Sequence, residues 1–196
     1  MSAWAFLREF ARDPKSLGAV TPSGPALAKL EVEAAEIAIG EPVVEIGAGT
    51  GPMTAEIVRQ HPTSPLLALE PNPVLAAALR ERFPGVRVEQ DFAQSLPPRC
   101  AAWGHPQVRR VVCGLPWAIW PDALQAEILD AVLAILTPDG RMVSFQYVHS
   151  RYLPAAIRFQ SVLESRFGRV RRTSIAWTHL PPAFVLVCDR SRTLEQ

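Results

Sequence analysis

Lysine is scarce in this chain: Lys15 and Lys29 are the only two among twenty basic residues. Cationic contacts must therefore be made almost wholly by arginine, whose planar fork suits carboxylates and phosphates. Cysteine is sparse as well. Cys100, Cys113 and Cys188 are odd in number and lack C-x-x-C spacing. That argues against a disulfide framework or a zinc site and fits a reducing cytoplasm. The four histidines, His61, His105, His149 and His179, are scattered without ligand spacing, so no metal is expected. No apolar run approaches the roughly 20 residues of a spanning helix, so a membrane role would have to be peripheral. Net charge is +1, so no global field draws the chain to nucleic acid. Repeats and low-complexity segments are absent too.

What charge there is lies unevenly. Residues 140–176 hold seven arginines and one acid, Glu164. Either these arginines pair with acids elsewhere on a solvated surface, or they make a basic face for the phosphates of RNA or lipid headgroups.

At 196 residues the chain is one domain, large enough for a substantial core. Its most informative stretch is Val43-Val44-Glu45-Ile46-Gly47-Ala48-Gly49-Thr50-Gly51. An apolar run carrying an acid is followed by glycines that open a helical pattern from Pro52 to Gln60. This is the strand–turn–helix setting of a nucleotide fingerprint. A dinucleotide loop would read G-x-G-x-x-G, with a helix N-terminus facing a pyrophosphate. Here the spacing is G-x-G-x-G and Glu45 precedes it. A carboxylate repels a pyrophosphate but attracts an ammonium or a sulfonium. The motif therefore points to S-adenosylmethionine.

Two more acids stand at strand ends. Glu70, with Pro71 after it, closes Leu66-Leu67-Ala68-Leu69 and can accept from both ribose hydroxyls. Asp91 follows Val86-Arg87-Val88-Glu89-Gln90 and can accept from an adenine amine, with the Phe92 ring packing on the base. Strands are expected near 43–47, 66–70, 86–90, 108–113 and 141–148, and helices near 52–60, 72–83, 121–136 and 153–166. Such alternation predicts an α/β fold, a Rossmann-like, doubly wound sheet with helices on both faces. Two last strands near 170–178 and 183–189, joined through Leu180-Pro181-Pro182, should add an antiparallel hairpin and bring the sheet to seven strands.

Ahead of this domain, placed at 40–196, residues 1–39 form an N-terminal helical arm or lid. Residues 2–12 put Trp4, Leu7, Phe10 and Ala11 on one helical face with Phe6 beside them, and Arg8, Glu9 and Arg12 opposite. That helix either covers the pocket or lies in a membrane interface. Thr21-Pro22 reads as the start of a second helix ending near Gly40, with Leu27, Leu30 and Ala34 on one face.

The strand at 108–113 ends in Gly114-Leu115-Pro116-Trp117, and Trp120 follows. The next strand ends in Phe145-Gln146-Tyr147. The aromatics Trp117, Trp120 and Tyr147 can converge at a pocket mouth, where aromatic faces favour alkylammonium groups; Trp117 and Trp120 read equally well as core packing.

The ordered glycines and acids resemble the class I S-adenosylmethionine-dependent methyltransferases over about residues 40 to 190. That resemblance implies that Gly47, Ala48, Gly49, Thr50 and Gly51 wrap the methionine part, Glu70 holds the ribose and Asp91 meets the adenine. Amino-methylating members usually carry Asn or Asp where this chain has Gly114, which can offer only backbone. That departure favours a flexible alkyl amine over a flat nucleobase. Further pieces, Gly18-Ala19-Val20-Thr21-Pro22-Ser23-Gly24, Gly114-Leu115-Pro116, Phe145-Gln146-Tyr147 and Leu180-Pro181-Pro182-Ala183, resemble the bacterial phospholipid N-methyltransferases. The ribosomal RNA adenine dimethyltransferases are more distantly similar. The implied reaction is methylation of phosphatidylethanolamine toward phosphatidylcholine, with ornithine lipid as a substitute acceptor. Its setting is the inner face of the membrane, reached from the cytoplasm, with a monomer as the expected state. Gly114 and Leu115 would orient the amine, and Tyr147 or a water on Gln146 would receive its proton. Lys15 and Arg151 are candidates for the lipid phosphate, while His149 is read as a local packing residue. The competing readings are methylation of RNA adenine or a soluble amine, and a non-catalytic cofactor-binding protein that docks on membranes.

Overall fold

A computed structural model describes residues 24–117, 120–177 and 180–191. Helix α1 (Pro25–Ala35) precedes strand β1 (Val43–Ile46), α2 (Pro52–Gln60), β2 (Leu66–Leu69), α3 (Pro73–Arg82) and β3 (Arg87–Glu89). Next come α4 (Leu96–Trp103), β4 (Val108–Cys113), α5 (Asp122–Ile135), β5 (Leu136–Tyr147), α6 (Pro154–Arg166), β6 (Arg169–Arg172) and β7 (Ala183–Asp189). Prolines open α1, α2, α3 and α6, where the missing N–H costs nothing and the fixed φ is already helical.

The seven strands order as β3-β2-β1-β4-β5-β7-β6. β1 to β5 pair in parallel and β7 runs antiparallel to both β5 and β6. The predicted sheet and its C-terminal hairpin are therefore present. Strand alternation sorts the core. Val44, Ile46, Leu67, Leu69, Val111, Cys113 and Met142 pack with α4, α5 and α6 on one face. Val43, Leu66, Val112, Val143, Phe145 and Tyr147 face α1 and α2 on the other. On α5, Leu124, Ile128, Leu129, Val132 and Ile135 are fully buried, each worth roughly 2 kcal/mol of apolar transfer. All three cysteines are buried, and burial pushes the Cys113 thiol up to about 12, so these are inert packing groups.

Some elements differ from expectation. Helix α4 was not predicted; Pro97 and Pro98 fall in its first turn, where proline is tolerated. β5 begins at Leu136 instead of 141. Leu136 pairs with Val108 before a register shift, which hides the strand behind the turn-like Thr137-Pro138-Asp139-Gly140. β6 stops at Arg172 and continues only as a single bridge between Ala176 and Ala183. Helix α1 starts at Pro25 and ends at Ala35, where Glu36 turns left-handed at φ 52°. Its buried stripe is Leu27, Ala28, Glu31, Val32 and Ala35, rotated from the expected one, so a carboxylate enters the core. Although α1 falls within the segment read as an arm, it packs directly on the sheet.

Candidate active site

The site is built at the carboxyl ends of the parallel strands, where open α/β sheets bind ligands. β1 gives way to Gly47, whose N–H donates to Leu69 O at 2.9 Å, and Gly51 N–H closes a turn onto Ala48 O at 2.9 Å. Gly47, Gly49 and Gly51 have φ of 73°, 58° and 83°, a region that side chains disfavour. Their surroundings differ. A β-carbon on Gly47 would lie 2.7 Å from Leu115 Cδ2, and one on Gly51 would lie 2.8 Å from Leu79 Cδ2. One on Gly49 would meet nothing within 4 Å. The loop is thus packed at both ends and open at its middle, with Ala48 buried before Gly49 and Thr50 exposed after it.

Four acids belong to this end of the fold, and one of them, Glu70, meets the loop itself. Glu45 is fully buried, and its Oε2 accepts from the Thr54 hydroxyl at 2.7 Å on α2. Its Oε1 is buried without a partner. Burial, opposed in part by the Thr54 bond, raises this carboxyl to about 7. Glu31 of α1 is also fully buried, neither of its oxygens has a partner, and burial together with the charge of Glu45 holds it well above the usual carboxylate range. Glu70 Oε2 accepts from Gly49 N–H at 2.8 Å and its Oε1 from Asn72 N–H at 2.9 Å. Burial raises Glu70 while those two bonds oppose the rise. In this state the carboxylate fixes the glycine loop itself, with Pro71 leading into α3. Asp91 accepts from Phe92 N–H at 2.8 Å, Ser95 Oγ at 2.9 Å and Arg99 Nε at 2.9 Å. Burial works against it, but these bonds together hold Asp91 below its ordinary range.

On the acceptor side, Gly114 N–H donates to Ile46 O at 2.9 Å. A β-carbon there would lie 2.6 Å from Met53 Cε and 2.8 Å from Gly47 O. The side chain usual in amino-methylating relatives therefore has no room in this loop arrangement. Leu115 packs against Gly47. Trp117 and Trp120 are core residues, only 4% and 5% exposed. The Trp117 indole N–H donates to Ser144 Oγ at 2.9 Å and its ring stacks on Phe159 at 4.6 Å. Gln125 Nε2 donates to the carbonyls of both tryptophans. The structure thus places both rings in the packing rather than around an open mouth. Tyr147 is buried, stacked on His149 at 5.6 Å and edge-on to Phe145 at 5.4 Å. Burial pushes its phenol up to about 12. Gln146 Oε1 is buried with no hydrogen-bond partner. Adjacent strand residues point to opposite faces, so Gln146 and Tyr147 cannot attend one acceptor equally. The Arg151 guanidinium lies 4.4 Å over the Tyr152 ring. Lys15, the helix expected at residues 2–12 and the Thr21-Pro22 cap lie outside the described residues.

These groups fit S-adenosylmethionine: an open cradle at Gly49, an unsatisfied buried acid at Glu45 for the cationic end, and Glu70 and Asp91 on successive strand ends. Sequence reasoning missed several supports. Thr54 and Asn72 were findable, one as the hydroxyl in the first turn after the loop and the other as a cap before Pro73. Glu31, Ser95, Arg99 and Ser144 act only through the fold and left no local signal. Among the described residues no cluster of His, Cys, Asp and Glu could hold a metal, and no helix is long and apolar enough to cross a membrane.

No family model matches the chain. It is 34% identical over 158 residues, 75% of its length, to an ornithine lipid N-methyltransferase of Singulisphaera acidiphila, of which the match covers 80%. Among solved structures, a precorrin-6y C5,15-methyltransferase from Geobacter metallireducens superposes with a TM-score of 0.63 at 20% identity, covering 84% of this chain and 87% of that one. A TehB-like S-adenosylmethionine-dependent methyltransferase from Corynebacterium glutamicum gives 0.63 at 14% identity, covering 96% and 98%. The structural likenesses concern the fold, and the sequence match fixes the kinship. With its glycine loop and three ordered acids, the chain belongs to the class I S-adenosylmethionine-dependent methyltransferases, in the same family as the ornithine lipid enzyme.

Proposed function

We propose that this methyltransferase acts on the amine of a lipid headgroup at the membrane surface. The observation that carries the reading is the match over three quarters of the chain to an enzyme described as an ornithine lipid N-methyltransferase. The bare backbone at Gly114 supports it, since a flexible alkyl amine needs no flat side-chain clamp. Phosphatidylethanolamine, carried stepwise toward phosphatidylcholine, and ornithine lipid are the acceptors in view.

When bound, S-adenosylmethionine supplies a methyl group already activated on a sulfonium. What remains for the protein is alignment and the exclusion of competing poses. Glu45 would take the ammonium of the methionine part and Glu70 the ribose hydroxyls. Asp91, locked by Arg99 and Ser95, presents a fixed edge to the adenine, with Phe92 against the base. Gly114 lets the acceptor amine approach its carbonyl. Tyr147 shares the face of Glu45, and with its phenol at about 12 it keeps its proton at neutral pH. It therefore orients the amine as a hydrogen-bonding group, and the amine sheds its proton to water before attack. Tyr147→Phe should lower kcat by about tenfold or less without changing the pH profile; a shifted profile would restore a proton-transfer role.

The test is expression in a bacterium whose membranes contain phosphatidylethanolamine but no methylated derivative, with and without ornithine lipid. Mass analysis of the lipid extract should show methylated headgroups. Unchanged lipids from a culture holding folded, cofactor-binding protein would reject the reading.

A further inference from the structure

We propose that the carboxyl end of the sheet carries a built bilayer-docking surface, made by Tyr152, Leu153 and Ile157 around the start of α6 and by Trp177 and Leu180 between β6 and β7, with Arg151 as its headgroup cation. It rests on the lipid reading above and gives that site its approach to substrate.

Among the described residues, five of the eight exposed large hydrophobics fall in these segments. Trp177 is 69% exposed, Leu180 79% and Tyr152 69%. The other three, Ile39, Val58 and Val74, stand singly on other elements, as isolated surface residues commonly do. The ladder ties the five to one place. Tyr147 pairs with Ala183, Ala183 bridges Ala176 beside Trp177, and Val148 N–H donates to Pro182 O at 2.9 Å, two residues from Leu180. Ile157 stands one turn beyond Leu153, its N–H donating to Leu153 O. All emerge at the carboxyl end of β5, the end that carries the glycine loop and Gly114.

The chemistry selects a membrane. Tryptophan and tyrosine with aliphatic neighbours suit the headgroup boundary, where an apolar body and a polar tip are both satisfied. Charge points the same way. Arg141, Arg158, Arg166 and Arg171 each meet a carboxylate, so most of the basic segment is neutralised within the fold. Arg151 lies over Tyr152 and meets no carboxylate among the described residues. An unneutralised cation inside an aromatic patch complements anionic headgroups. The surface borders the site that must receive a lipid amine, so docking there leaves the acceptor at the cleft.

The full chain and a Trp177→Ser/Leu180→Ser variant are compared in co-flotation with phosphatidylcholine–phosphatidylglycerol vesicles, which hold no acceptor amine. Thermal melting and cofactor binding serve as controls. The variant should bind vesicles about tenfold more weakly and keep its activity on a short-chain amine lipid below its micelle concentration. Ile157→Ser should weaken binding in the same direction. Vesicle binding equal to that of the parent overturns the docking surface, while lipid methylation by the parent would leave the functional reading standing. Loss of a dimer in the variant, read by sedimentation, overturns it in favour of a contact between copies. If the parent methylates no lipid but the variant loses vesicle binding, docking stands and the acceptor reading falls.

Discussion

At the scale of single residues, the site holds more buried acid than the fold requires. Glu45 titrates at about 7 because burial penalises its charge. A carboxyl whose folded pKa lies above its unfolded value binds protons more tightly when folded. The folded state is therefore favoured below about 4.5, and that advantage is lost as pH rises to about 7, where the loss levels off. For Glu45 the loss is roughly 3 kcal/mol, and Glu31 adds in the same direction. Glu45→Gln can still accept from Thr54 and has no charge to bury. Its stability relative to the parent should climb between pH 5 and 8 in urea melts, while its affinity for S-adenosylmethionine falls about tenfold by calorimetry. Parallel stability curves would deny the burial cost. Gly114 makes a second case. Restoring the family side chain with Gly114→Asn forces a β-carbon toward Gly47 O and should cost about 1–3 kcal/mol. Because Gly47 belongs to the loop, cofactor binding should weaken with it; a variant with unchanged melting temperature and affinity would show that the loop yields freely.

Elements were legible in the sequence to the extent that their signals were local. The glycine loop after Val43-Val44-Glu45-Ile46 announced β1 and α2, and α3 was expected near 72–83 although its cap, Asn72 before Pro73, went unread. In the structure Asn72 Oδ1 accepts from Val74 N–H and Leu75 N–H at 2.9 and 3.1 Å. Asn72→Ala should therefore cost about 1 kcal/mol, seen as a lower melting temperature with Glu70 still held by the backbone N–H of residue 72. No change in melting would mean that water replaces the cap without loss. What escaped sequence reading was set by tertiary packing. The stripe of α1 rotated because the sheet takes Leu27, Ala28 and Val32, and Glu31 was carried inward with them. Trp117 was open to two readings until its N–H was seen on Ser144, a partner 27 residues away. Helix α4 went unread; the two prolines in its first turn, Pro97 and Pro98, are helix openers only once the turn's start is known.

For the molecule as a whole, the charge pattern changes meaning once folded. The arginine-rich segment was open to two readings, paired surface arginines or a basic face, and Arg141 and Arg171 take the first: they share Glu36 and Asp189 and clamp α1 to the sheet edge. Arg151 is left beside the apolar rim, at the end of the sheet where the cofactor loop and Gly114 meet. On the proposed lipid reading, an apolar rim beside the cofactor site would let a headgroup be methylated without extracting the lipid. The decisive measurement is transfer from methyl-labelled S-adenosylmethionine by the purified chain to vesicles of phosphatidylethanolamine or ornithine lipid, each mixed with anionic lipid. Label should appear in a mono-, di- or trimethylated headgroup of at least one of them. Label absent from every lipid, but present in RNA or a soluble amine offered to the same cofactor-loaded protein, would contradict a lipid acceptor.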